Sequence, residues 1–243
     1  MTTGFESLRA LAAGVFALLV LGGGAAEARS RHAAAEPVVV ELYTAQGCAT
    51  CPKANGVIGD LSAKKGVLPL TFSVDYWDYL GWQDTLAEPE FTARQRAYVQ
   101  RLKVREIYTP EIVVGGRAEG PALERKTIDG LIAEAEARHP RHLRLRFSRH
   151  GARVKVAGSV SGLHGDVWLV RYAADPQSIK IKTGENKGQT VVVRNAVREL
   201  TRLGPWRDTA AIYSIKPAKD AGLKTVVIVQ GVRGGPILAS ARE

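Results

Sequence analysis

The first apolar run that leads into a helical pattern is Val38-Val39-Val40-Glu41-Leu42-Tyr43. Rich in β-branched residues, it reads as a strand buried on both faces. Pro52 to about Lys64 follows as a helix, with proline in the first turn and Val57, Ile58 and Leu61 on one side. Lys64-Lys65-Gly66 stops that helix, and Val67 to Val74 supplies a second apolar strand. The order predicts a right-handed βαβ unit. Its first loop then lies at the carboxyl end of the strand, where open α/β sheets place their sites. Glu88-Pro89-Glu90 opens another helix, with Phe91, Gln95, Tyr98, Val99 and Leu102 facing one way. Thr109-Pro110 enters the short strand Ile112-Val113-Val114, which ends at Gly115-Gly116 and predicts a hairpin. Leu123 to Arg138 reads as a further helix, ended by His139-Pro140.

Beyond Pro140 the texture turns to short β-patterned segments between glycine turns. Candidate strands are His142 to Phe147, Arg153 to Val160, Asp166 to Tyr172, Ile179 to Lys182, Gln189 to Val193, Ala210 to Ile215 and Thr225 to Gln230, with an eighth at Pro236 to Ala239. Val197 to Leu203 reads as a short helical turn. Such a run of strands predicts an all-β, sandwich-like part. The expected organisation is an α/β domain over residues 37–140 and a β-sandwich-like domain over residues 141–243.

The N-terminus adds an export signal. Arg9, an apolar run from Ala10 to Leu21, three glycines and Ala26-Glu27-Ala28 have the order of a secretory leader, predicting cleavage after Ala28 and a linker over residues 29–36. The apolar run is about a dozen residues, short of the roughly 20 that span a bilayer. The expected location is periplasmic or secreted.

The formal charge is +10. Losing residues 1–28 removes Glu6, Arg9 and Glu27 and leaves +11. This balance suits peripheral contact with an anionic membrane surface, while export argues against a nucleic-acid partner. The density around Arg144 and Arg146 alternates with Leu143, Leu145 and Phe147, the pattern of a solvated strand face.

The chain's two cysteines, Cys48 and Cys51, lie in Cys48-Ala49-Thr50-Cys51-Pro52, between the first strand and its helix. A helix N-terminus lowers the pKa of a thiol placed there, so the pair fits a redox dithiol in which Cys48 attacks and Cys51 resolves the mixed disulfide. A bridge across two residues restricts the unfolded chain little, which makes long-range stapling a poor use for it. Two alternatives stay open: a non-enzymatic partner-binding module with a structural disulfide, and a copper(I) transfer protein using both thiolates. Structural zinc lacks ligands near the motif, since the histidines stand at 32, 139, 142, 150 and 164. No metal site and no cofactor are expected.

The strand before Cys48-Ala49-Thr50-Cys51-Pro52, together with the later Thr109-Pro110 entering a strand, resembles the thioredoxin superfamily. Segments such as Val74-Asp75-Tyr76-Trp77 and Gly184-Glu185-Asn186-Lys187-Gly188 resemble an exported bacterial thioredoxin-like family of unknown function. The resemblance implies an α/β thioredoxin-like domain, with Pro110 as a cis-proline facing the dithiol and the Thr109 backbone pairing with an extended substrate. It also implies an acid on the first strand that deprotonates the buried thiol, a role that falls to Glu41. Tyr76 and Trp77 are candidates for the substrate groove wall, with core packing as their alternative use. Implied partners are protein or peptide thiols and disulfides and a redox partner protein. The chain departs from general thiol oxidoreductases in carrying Gly47 before the first cysteine and Ala49-Thr50 between the two.

Overall fold

A computed structural model describes residues 36–138 and 143–243. The expected leader, nearly all of the linker and the His139-Pro140 helix stop lie outside the described residues. The elements are β1 (Val38–Thr44), α1 (Cys51–Ser62), β2 (Val67–Ser73), a 3-10 turn at Asp78–Leu80, α2 (Pro89–Leu102), β3 (Glu111–Val114), β4 (Ala118–Pro121) and α3 (Arg125–Ala137). Then come β5 (Arg144–Phe147), β6 (Arg153–Ala157), β7 (Gly165–Ala173), β8 (Gln177–Lys180), β9 (Thr190–Val193), β10 (Ala196–Trp206), β11 (Ala211–Ser214), β12 (Lys224–Gly231) and β13 (Ile237–Arg242).

Every residue of β1 and β2 is buried, because helices cover both faces of this part of the sheet. Val38, Val40 and Leu42 pack with Ala54, Ile58 and Leu61 of α1 and with Ile128 and Ile132 of α3. Val39 and Tyr43, on the other face, meet Phe91 and Tyr98 of α2. The period-2 alternation of β1 thus feeds two separate cores.

Eight strands form one mixed sheet in the order β13-β12-β7-β10-β2-β1-β3-β4. β1 and β2 run parallel, and β10 joins β2 in parallel at Ala196 and Thr71. The remaining neighbours are antiparallel. The expected division at residue 140 is therefore no break in the sheet, and the described residues form one compact unit. Alone, residues 37–140 would leave the largely apolar β2 as an open edge, which β10 meets at Thr71. Asn195 fixes the junction, donating its side-chain amide to Pro69 O at 2.8 Å. Sandwich character survives locally: β11-β6-β5 form a three-stranded sheet whose Val154 and Val156 pack with Trp206, Val167 and Val227.

The helical turn expected at Val197 to Leu203 is part of the eleven-residue strand β10. Two register shifts against β7, at Val197/Glu199 and Arg202/Gly204, break its period-2 pattern and hide it from a periodicity reading.

Candidate functional site

β1 delivers the chain to a tight loop in which the Cys48 amide donates to Ala45 O and the Cys51 amide to Cys48 O. α1 starts at Cys51 with Pro52 in its first turn, as expected. Cys48 and Cys51 are joined as a disulfide with a Cα–Cα separation of 5.4 Å. Only 2% of Cys48 and none of Cys51 is exposed.

The facing wall comes from the turn into β3. The Thr109–Pro110 peptide bond is cis, and Cys48 Sγ lies 3.9 Å from Thr109 O and 3.6 Å from Thr50 Oγ1. Pro110 is buried. Tyr76 and Trp77 pack half-buried against the cluster that contains both cysteines, and a Cβ at Gly47 would stand 3.4 Å from the Trp77 Cβ. That distance is ordinary van der Waals contact, so the Cys loop passes directly beside Trp77 without requiring glycine at position 47. The structure thus gathers Cys48, Cys51, Thr109, Pro110, Tyr76 and Trp77 in one place.

Glu41 has other partners. Its Oε1 accepts from Arg94 Nε at 2.6 Å, its Oε2 accepts from the Tyr98 hydroxyl, and the residue is wholly buried. Burial alone would lower the Arg94 pKa, but Glu41 and the nearby tyrosines outweigh it and hold the guanidinium charged. Both carboxylate oxygens are thus spent on α2, and neither is bonded to Cys51. A buried carboxylate goes to the cation its fold supplies, and α2 places Arg94 directly over it.

The acid beside the cysteine wall is Glu111, the residue after Pro110. In the antiparallel register it sits opposite Tyr43, on the sheet face shared with Val113 and the cysteine cluster. Its Oε2 accepts from Gln95 Nε2 at 2.6 Å, whereas Oε1 is buried without a partner. Burial pushes its pKa up to about 7, opposed by the Gln95 hydrogen bond and reinforced by Glu119 and Glu41. The sequence reading passed over Glu111. Its signal was a lone acid between an X-Pro pair and Ile112-Val113-Val114.

A second missed group lies far along the chain. Gly184-Glu185-Asn186-Lys187-Gly188 reads as a polar hairpin tip, and it does connect β8 to β9. The fold lays it over the cysteine loop, where Asn186 Nδ2 donates to Gln46 O at 2.8 Å and to Cys48 O at 2.9 Å. Gln46 is held again from the other side: its amide donates to Asp84 Oδ2 at 2.7 Å, and Trp82 Nε1 donates to its side-chain oxygen at 2.8 Å. Burial pushes the Asp84 pKa up to about 6, against the lowering effect of the Gln46 and Leu86 amides.

Among the described residues no group of three or more His, Cys, Asp and Glu side chains is placed to hold a metal ion, and no helix is long and apolar enough to cross a membrane.

Fold and site together define a mixed α/β protein with a Cys-x-x-Cys disulfide at a strand-to-helix junction, facing an X-Pro turn. The chain belongs to the family described as protein of unknown function DUF1223, which matches residues 39–230. A crystal structure of a protein from Agrobacterium tumefaciens, a structural genomics target, is similar at 26% identity and a TM-score of 0.69, covering 86% of this chain and 94% of that one. The structure of HBP35 of Porphyromonas gingivalis is similar in fold, at 14% identity and a TM-score of 0.55, covering 86% of this chain and 74% of that one. No curated protein matches the chain.

Proposed function

We propose that the protein is an exported, thioredoxin-like thiol–disulfide oxidoreductase acting on protein or peptide thiols and disulfides. The observation that carries this reading is the contact of Cys48 Sγ with Thr109 O, 3.9 Å away, on the wall an extended substrate would line. The element order β1-α1-β2-α2-β3-β4-α3 supports the thioredoxin-like reading of residues 37–140. With the pair oxidised, a substrate thiolate attacks Cys48 Sγ, the Cys48–Cys51 bond breaks, and Cys51 leaves as a thiolate that takes up a proton. A second substrate thiolate then attacks the substrate sulfur of the mixed disulfide and releases Cys48. The substrate gains a disulfide and the pair is reduced; the reverse sequence reduces a substrate. A redox partner protein of the exported compartment resets the pair, and no cofactor takes part. The net positive charge supports peripheral contact with anionic lipid, and location in the periplasm or outside the cell rests on the N-terminal leader pattern.

Equilibration with glutathione redox buffers tests this. A potential between about −120 and −270 mV, with turnover in an insulin-reduction or disulfide-isomerisation assay lost in Cys48→Ser, supports the reading. A second reading, a partner-binding module with an inert disulfide, is favoured by the burial of both sulfurs. A potential below about −300 mV with no turnover selects it.

A further inference from the structure

On the face of the sheet that carries α2, the helix covers β1 and β2 and touches β12 where Gln230 Nε2 donates to the Tyr98 hydroxyl at 2.9 Å, while beside that contact a gap separates it from β7, β10 and β12. The space between is a cavity of about 410 Å³. That volume lies within the range of small-molecule sites.

Its inner wall holds a buried cation with open donors. Arg94 has a side chain only 5% exposed, and it uses Nε on Glu41 and Nη2 on the Tyr98 hydroxyl at 3.3 Å. Its Nη1 has no hydrogen-bond partner among the described residues. Guanidinium donors left open at the bottom of a cavity call for an acceptor, and a carboxylate satisfies them two at a time.

The flanking walls are apolar and partly aromatic. Trp168 lies with its ring centre 5.7 Å from the Arg94 guanidinium carbon, and Leu200 and Ala97 line the cavity beside it. One end is closed by the β12–β13 turn, packed so tightly on α2 that a Cβ at Gly234 would come within 2.6 Å of Ala97 O. The mouth is charged. Arg202 is bound to Asp166 at 2.5 Å, and Glu90 faces solvent. Arg233 adopts a left-handed backbone, φ 54°, and has no carboxylate within ion-pair distance among the described residues.

We propose that this cavity is a binding site for a small aromatic carboxylate, its ring against Trp168 and Leu200 and its carboxylate on the open Arg94 donors. Arg233 at the mouth supplies the charge that draws the anion in, because the Arg94 and Arg202 charges already have carboxylate partners in Glu41 and Asp166. The site lies outside the cysteine loop and does not depend on redox activity.

Calorimetric titration of the full chain with 2-naphthoate, and with its neutral counterpart 2-naphthamide, tests the proposal. Saturable naphthoate binding is expected, at least tenfold tighter than naphthamide. It should weaken several-fold in Arg233→Ala and be lost in Ala97→Phe, which fills the cavity. Leu200→Glu, which sets a like charge on the wall, gives a second route to the same loss should Ala97→Phe fail to fold. Absence of saturable naphthoate binding, equal affinity for the two probes, or binding unchanged in folded Ala97→Phe or Leu200→Glu would overturn it.

Discussion

Asn186 gives one side-chain nitrogen to the backbone carbonyls of both Gln46 and Cys48, although it follows Cys48 by 138 residues. The β8–β9 tip therefore acts as a clamp on the cysteine loop. In Asn186→Ala two buried carbonyls lose their donor, at a cost of about 1–3 kcal/mol in unfolding free energy. The disulfide should become easier to reach, so dithiothreitol should reduce it several-fold faster, read as thiol release over time. A reduction rate equal to wild type would mean that the tip shields nothing.

Glu41 and Arg94 form a buried pair whose loss can be separated from the chemistry. Glu41→Gln leaves the Arg94 charge unmatched in the core, and urea unfolding should show a loss of about 3–5 kcal/mol. Because both Glu41 oxygens are engaged by α2, the pH profile of cysteine alkylation in the reduced protein should stay where it is in wild type. A profile displaced by half a pH unit or more would return Glu41 to the thiol chemistry.

Glu111 makes stability depend on pH with a defined sign. Its pKa rises from 4.5 to about 7 on folding, so between those values the folded chain keeps a proton the unfolded chain has released. Stability from this group is therefore full below pH 4.5 and falls as pH rises to 7, by roughly 3 kcal/mol at most. Glu36, raised to about 7, and Asp84, raised to about 6, act in the same direction, so the contribution of Glu111 is the difference between wild type and Glu111→Gln. Urea unfolding at pH 4.5 and 7 should show a smaller drop in the variant. An identical drop in both proteins would place the Glu111 titration elsewhere.

The cysteine junction and the three helices were legible because each is local: a strand, a proline in a first helical turn, an apolar stripe at helical spacing. The Thr109-Pro110 wall, 61 residues from Cys48, was implied by the family resemblance alone. What the sequence did not show is long-range. Glu41 looked like a catalytic acid because nothing in β1 names its partner; Arg94 lies 53 residues away and reaches it only once α2 folds over the sheet. Asn186 looked like a solvated hairpin tip for the same reason. β10 was misread because its two bulges against β7 interrupt the alternation that identifies a strand. The division at residue 140 followed a real change of texture, yet hydrogen bonding across β2 and β10 leaves no trace in local pattern.

That junction predicts how the halves depend on each other. The cluster around Cys48, Cys51, Phe72 and Tyr98 also draws in Val170, Tyr172, Val197, Val226, Ile228 and Ile237, all from beyond residue 140. Each is a buried side chain contributing about 1.5–3 kcal/mol, so their sum is of the same size as the whole 5–15 kcal/mol by which a domain is stable. β2 would in addition expose its edge once β10 is removed. A fragment of residues 37–140 should therefore show no cooperative thermal transition by circular dichroism and should self-associate in sedimentation. A monomeric fragment with a sharp transition would mean that the α/β half folds without the strands that complete its sheet.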